Sequence, residues 1–119
     1  MSSFEVTIYH NPACGTSRNV LDMIREAGVE PKIVEYLKHP PSRAELEKIL
    51  ARAGLKVRDI LRKKAPPYAE MGLDDPALSD DAIFAAIAAH PVLIERPIVV
   101  SPKGARLCRP KEKALEILP

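Results

Sequence analysis

Short apolar runs alternate with helical repeats along the first third of this chain. The run FEVTIY, residues 4–9, is rich in β-forming residues and predicts a short buried strand. From Thr16 onward, apolar residues recur at helical spacing, and Gly28 stands where a helix commonly ends: Val20, Leu21, Ile24 and Ala27. The run PKIVEY, residues 31–36, predicts a second strand. Residues 4–36 therefore predict a strand–loop–helix–strand unit with parallel strands.

The middle of the chain is predicted to be helical. Ser42 and Glu45 form the S-x-x-E pattern of a capping box, and Ser79 precedes two aspartates that suit the first turn of a helix. The segment VRDILRKK, residues 57–64, predicts one or two more helical turns. The proline-containing segment APPYAEMGLDDPA, residues 65–77, predicts a loop.

The last quarter of the chain predicts a hairpin followed by a helix. The runs RPIVV and ARLCR flank the turn SPKG, and Pro110 is expected to be the first residue of the final helix. The element order is β-α-β, a helical middle, then β-β-α. This order predicts an α/β, thioredoxin-like fold with a helical insertion over about residues 42–92, in a single domain spanning residues 1–119.

Composition narrows the classes of function. Hydrophobic residues make up 46% of the chain and aromatic residues only 4%, so the core must be aliphatic. A net charge of +2 is too small to indicate a nucleic-acid partner. We find no signal segment and no apolar run of membrane-spanning length, so no membrane partner is expected. With two cysteines rather than a disulfide framework, we expect a cytoplasmic protein with reduced thiols.

Cys14 lies between the first predicted strand and the first predicted helix. Free backbone N–H groups and the helix dipole at that position favour a thiolate, and they can lower a cysteine pKa from about 8.5 to between about 3.5 and 7.5. Its neighbours, NPACGTSR, are polar where a core cysteine would have apolar neighbours. Thr16 and Ser17 offer hydroxyl donors, and His10 would add positive charge if protonated. We therefore predict a reactive thiol.

Spacing excludes several cysteine chemistries. The sequence CGTS has Ser17 where a dithiol oxidoreductase has its second cysteine, and Arg18 is too close to Cys14 for the C-x5-R loop of a phosphatase. Two cysteines and three scattered histidines predict no metal site. In a thioredoxin-like fold, the X-Pro bond before the third strand is typically cis and faces the active cysteine, which would bring in Arg96. Arginines there would hold an anionic substrate.

Three separated motifs resemble one family. HNPACGTSRNVL, ILRKKAPPY and RPIVVSPKGARLCRP, in this order, are similar to the glutaredoxin-coupled arsenate reductase (ArsC) family, and the resemblance spans nearly the whole chain. It implies that Cys14 attacks arsenate to give a thioarsenate intermediate. It also implies that His10 is linked to the reactivity of the thiol and Ser17 to its acidity. Three arginines match those that bind the oxyanion in the family: Arg62, Arg96 and Arg109.

The resemblance also implies the reductants. Glutathione, as reducing co-substrate, attacks the bound arsenic. Glutaredoxin removes the mixed disulfide, and arsenite leaves. No bound cofactor is implied. Glu95 departs from the expected chemistry, because a carboxylate pointing into the site would weaken anion binding, although strand alternation does not require that orientation. Cys108 is expected to pack in the core, and Arg106 is left outside the site.

Two other classes remain open from the sequence. The first is a non-enzymatic module such as the Spx-type transcription regulators, which share the fold but commonly carry a C-x-x-C switch. The second is a related reductase that acts on a different thiol or glutathione-linked substrate. The set of arginines favours an oxyanion substrate over both.

Overall fold

The computed structural model describes residues 4–119, which form two units. One unit contains the chain up to His39 and resumes at Arg96, and the other is Pro40–Glu95. The second unit interrupts the first along the chain and contains no strand of the main sheet. Its residues include those of the predicted helical insertion, about 42–92.

The first unit contains four strands, one α-helix and a C-terminal 3-10 helix. In chain order these are β1 (Thr7–His10), α1 (Gly15–Glu26), β2 (Lys32–Glu35), β3 (Ile98–Ser101), β4 (Gly104–Leu107) and the 3-10 helix Lys111–Ile117. The sheet order is β2-β1-β3-β4. β1 pairs with β2 in parallel, as predicted, whereas the β1–β3 and β3–β4 pairs are antiparallel. This arrangement confirms the thioredoxin-like fold.

The core of the first unit is aliphatic. Val20 and Ile24, four residues apart on α1, are fully buried against the sheet residues Ile8 and Val99. Cys108 is also fully buried in this cluster, which confirms that it packs in the core. The Arg96–Pro97 bond before β3 is cis, as predicted, and the Arg109–Pro110 bond is cis as well.

The second unit is built from capped helices. Its elements are α2 (Arg43–Ala53), the 3-10 helix Val57–Ile60, α3 (Pro66–Glu70), α4 (Asp80–Ala89) and the 3-10 helix Pro91–Leu93. The Ser42 hydroxyl accepts the N–H of Glu45, and the Ser79 hydroxyl accepts the N–H of Ala82, so both predicted caps form. α2 ends at Gly54, whose φ of 69° lies in the left-handed region that glycine adopts without strain.

Three predicted elements differ from the structure. The first strand begins at Thr7 rather than residue 4. The segment predicted as a loop, 65–77, contains α3, because Pro66 and Pro67 occupy the first turn, where a missing N–H costs nothing. The final helix is a 3-10 helix, and Pro110 is its N-cap rather than its first residue. Proline marks the start of a helix in both cases, and its exact register depends on tertiary packing.

Residues 4–119 lack two features that would suggest other classes of function. No helix there is both long and apolar enough to cross a membrane. No group of three or more histidine, cysteine or acidic side chains is placed to share a metal ion.

Ile24→Ala should strongly destabilise the protein, because Ile24 is fully buried in the core beneath the sheet. We expect the free energy of unfolding to fall by about 2–5 kcal/mol, as measured by urea denaturation. Ile33→Ala is the matched control, since Ile33 is 39% exposed, and it should cost at most about 1 kcal/mol. Equal losses in the two variants would contradict the described core.

Candidate active site

Cys14 is held at the start of α1 by a loop that makes its own hydrogen bonds. The Cys14 N–H donates to the Asn11 carbonyl at 3.0 Å, and the Asn11 side-chain oxygen accepts the N–H of Ala13 at 3.0 Å. Arg18, exposed on α1, donates from Nη1 to the Pro12 carbonyl at 2.9 Å. These hydrogen bonds fix the position of the thiol, and the bond from Arg18 stabilises the loop.

The Cys14 thiol is half-buried, and its pKa lies below the ordinary value. Burial raises the pKa, but the backbone N–H of Ser17, the Arg96 side chain and the backbone N–H of Thr16 together lower it by more. Cys14 is the N-cap residue of α1, so these two N–H groups are among those the helix leaves unpaired. The thiolate is therefore stabilised by the helix start and by one guanidinium.

The Ser17 side chain binds His10 rather than the thiol. Ser17 is fully buried; its hydroxyl oxygen accepts the N–H of Asn11 at 3.1 Å and lies 2.7 Å from His10 Nδ1. The sequence predicted that hydroxyl groups of Thr16 and Ser17 would be donors near the thiol, but their backbone N–H groups supply that role. The Ser17 side chain instead ties the first turn of α1 to the end of β1.

Burial lowers the pKa of His10 below its ordinary value; Glu35 opposes this shift, and Arg18 and Arg25 add to it. The lowered pKa disfavours the positive charge that the sequence allowed for His10. The ring contributes to the site through its hydrogen bond with Ser17.

Two of the three sequence-predicted arginines lie together in the first unit. Arg96 is half-buried, and its guanidinium forms a hydrogen bond with the Cys14 thiolate. Arg109 is exposed, and its Nη1 donates to the Arg96 carbonyl at 3.0 Å. Arg106, which the sequence analysis left out, pairs with Glu116 at 2.9 Å. The first unit thus brings Arg96 and Arg109 together and gives Arg96 direct contact with the sulfur.

Arg62 belongs to the helical unit, where it pairs with Glu95. Arg62 Nη1 lies 3.2 Å from Glu95 Oε1, and each side chain is only 22% exposed. The backbone fixes both residues, since the Arg62 N–H donates to the Leu93 carbonyl and the Glu95 N–H donates to the Ile60 carbonyl, each at 2.7 Å. The sequence flagged Glu95 as an unfavourable charge but did not predict this ion pair.

Tyr36 lies near the Cys14 thiol, and the sequence analysis did not single it out. Its side chain is fully buried, and burial raises its pKa, opposed by Arg96 and Asn11. β1 and β2 are parallel with His10 opposite Glu35, so the next residues, Asn11 and Tyr36, leave the sheet at the same edge. That parallel register is the signal from which the position of Tyr36 follows.

Comparisons with known proteins agree on one family. A family model described as the ArsC family matches residues 9–117. An arsenate reductase of Rhizobium meliloti is 64% identical over 114 residues, covering 96% of this chain and 81% of that protein. One of Escherichia coli (strain K12) is 57% identical with the same coverage. The structure of an arsenate reductase from Vibrio cholerae superposes with a TM-score of 0.93 at 47% identity, covering 98% of this chain and all of that one.

Arg96→Ala should raise the pKa of Cys14, because it removes the guanidinium that stabilises the thiolate. The thiolate is the species that iodoacetamide alkylates, and it predominates above the pKa. The midpoint of the alkylation rate against pH should therefore move to higher pH in this variant. Buried Cys108, whose pKa is raised to about 12, will not compete for the reagent.

Arg106→Ala is the matched control for this experiment. Arg106 lies in the same unit but pairs with Glu116, so its removal should leave the Cys14 midpoint unchanged. If Arg96→Ala also left the midpoint unchanged, the assigned contact between Arg96 and the thiolate would be wrong.

Proposed function

The chain belongs to the ArsC family, and on that premise we propose that it reduces arsenate to arsenite through the thiolate of Cys14. The observation that carries this proposal is the acidic thiol at the start of α1, in contact with Arg96. A thiolate is the nucleophilic form of cysteine, and a helix start with arginines favours a tetrahedral oxyanion. The helix start and the arginines thus both bind the oxyanion and stabilise the thiolate.

The first step is nucleophilic displacement at arsenic. The Cys14 sulfur forms an S–As bond, one arsenic–oxygen bond breaks, and the oxygen leaves as water after taking up protons. The arsenic stays in the As(V) state, as a thioarsenate ester. Arginines near the sulfur stabilise the negative charge on the remaining oxygens.

The second stage requires a thiol from outside the chain. Reducing As(V) to As(III) takes two electrons, which two thiols supply by forming a disulfide. Cys108 is unsuitable, because it is fully buried and its pKa is raised to about 12. We infer that glutathione attacks the arsenic adduct, that arsenite is released as a Cys14–glutathione disulfide forms, and that glutaredoxin reduces this disulfide.

The proposal assigns roles to the remaining residues. Arg96 and Arg109 bind the oxyanion in the first unit, and the family resemblance adds Arg62 from the insertion. Ser17 and His10 position the first turn of α1 through their hydrogen bond. The reaction needs no bound cofactor. Glutathione and glutaredoxin act in reducing compartments, so the proposal includes a cytoplasmic location.

Cys14→Ser should abolish arsenite production, because a serine hydroxyl is not ionised near neutral pH. The assay contains purified protein, arsenate, glutathione, glutaredoxin, glutathione reductase and NADPH, and arsenite is measured directly. Cys108→Ala should retain most of the activity, since Cys108 is a core residue. Similar losses in both variants would show that the nucleophile is misassigned. Full activity without glutaredoxin would refute the proposed coupling.

Glu95→Gln should lower the KM for arsenate. The Glu95 carboxylate pairs with Arg62, so an oxyanion that uses Arg62, as the family resemblance implies, must compete with it for the guanidinium. Neutralising the carboxylate removes that competition, and we expect KM to fall roughly two- to fivefold. Steady-state kinetics with arsenate as the varied substrate measures the effect.

Glu30→Gln is the control for this substitution. Glu30 also pairs with an arginine, Arg25 at 3.1 Å, but on the surface of the first unit. Its removal should leave KM unchanged. A higher KM in Glu95→Gln would mean that the carboxylate orients Arg62 for substrate instead of competing with it.

A further inference from the structure

Two buried polar atoms make no well-formed hydrogen bond within residues 4–119. They are the hydroxyl oxygen of Tyr36 and the Nε of Arg96. Tyr36 is fully buried, and Arg96 is one of the residues that contact the Cys14 sulfur. Buried polar groups in folded proteins are nearly always paired, so two unpaired atoms beside a reactive thiol call for an explanation.

The two atoms belong to the same edge of the sheet. Tyr36 directly follows β2, and Arg96 precedes cis Pro97 at the start of β3. β3 runs antiparallel to β1, with Ile98 opposite Tyr9, so the start of β3 lies beside the carboxyl end of β1. Burial raises the pKa of Tyr36, the Arg96 and Asn11 side chains oppose this by approaching the hydroxyl oxygen as donors, and the Cys14 thiolate raises the pKa further. These approaches use the Tyr36 oxygen as an acceptor and leave the hydroxyl hydrogen without an acceptor.

Two side-chain oxygens of the same loop and helix start are already engaged. The side-chain oxygen of Asn11 accepts the N–H of Ala13 at 3.0 Å. The Ser17 oxygen accepts the N–H of Asn11 and is bonded to His10. A tyrosine hydroxyl and an arginine Nε–H are both donors. The site therefore presents two donors that call for an oxygen acceptor from outside the chain.

We propose that the Tyr36 hydroxyl and the Arg96 Nε–H together bind one oxygen of the tetrahedral oxyanion that Cys14 attacks. This inference rests on the proposed function. Tyr36 is then a substrate-binding residue. The remaining N–H groups of Arg96 stay available to the sulfur. This arrangement places an arsenic-bound oxygen between a neutral donor and a cationic one.

Tyrosine absorption provides a direct test, since the chain has three tyrosines and no tryptophan. Inorganic phosphate serves as an unreactive probe, and its binding is measured independently as protection of Cys14 from iodoacetamide. In the wild-type protein, phosphate binding should produce a tyrosine difference spectrum. Tyr36→Phe should abolish that spectrum and weaken phosphate binding about tenfold or more.

Tyr68→Phe is the control, because Tyr68 lies in the helical unit and has no assigned role in the site. It should keep both the difference spectrum and the affinity. Tyr36→Phe should also raise the KM for arsenate while the alkylation midpoint of Cys14 shifts little. A higher KM with an unchanged alkylation midpoint would show that Tyr36 acts on substrate binding and not through the thiol. Urea denaturation verifies that the variant is folded.

The other possible results distinguish failure of the Tyr36 assignment from failure of the proposed function. If phosphate protects wild-type Cys14 without a tyrosine signal, or if Tyr36→Phe binds phosphate as tightly as the wild type, the Tyr36 assignment is wrong and water satisfies the two donors. The proposed function survives that result. If the wild type neither binds phosphate nor produces arsenite, the proposed function and this assignment both fail.

Discussion

The stabilisation of a negative sulfur at the start of α1 is the interaction on which the site depends. Burial of Cys14 works against ionisation, so the helix N–H groups and Arg96 must more than offset the lost hydration. Their positions are fixed by structure that never touches the sulfur. The Ser17 hydroxyl links α1 to His10 and Asn11, and the antiparallel pairing of β3 with β1 places Arg96 at the same edge of the sheet.

The sheet topology explains how residues that are distant in the sequence come together near the thiol. The parallel β1–β2 pair directs the residues after both strands, Asn11 and Tyr36, to one edge. The antiparallel β1–β3 pair brings the start of β3, and therefore Arg96, to that same edge. Groups from three separate chain segments meet there without a long loop. Local sequence sets each strand, and the register between strands sets the chemistry.

Local signals made the fold and part of the site predictable. The position of Cys14 between a strand and a helix, and of Arg96 before a proline, are sequence-local features, and the structure places both as expected. The lowered pKa of His10 was not predictable, because it depends chiefly on burial in the folded chain. Tyr36 was missed for the same reason. A tyrosine ending a strand looks ordinary until the register places it beside Asn11 and Arg96.

The number of arginines overstates the positive charge available to an anionic substrate, because two of them already have anionic partners. In the helical unit Arg62 is already paired with Glu95, and in the first unit Arg96 is paired with the Cys14 thiolate. These two partners differ in a way that matters for the proposed reaction. Glu95 takes no part in bond making or breaking, so it competes for Arg62 in the same way before and during the step. The thiolate loses its charge as the S–As bond forms, while negative charge grows on the arsenic-bound oxygens. Arg96 therefore exchanges one anionic partner for another during the step, and its interaction with substrate is strongest in the transition state, where it accelerates the reaction most.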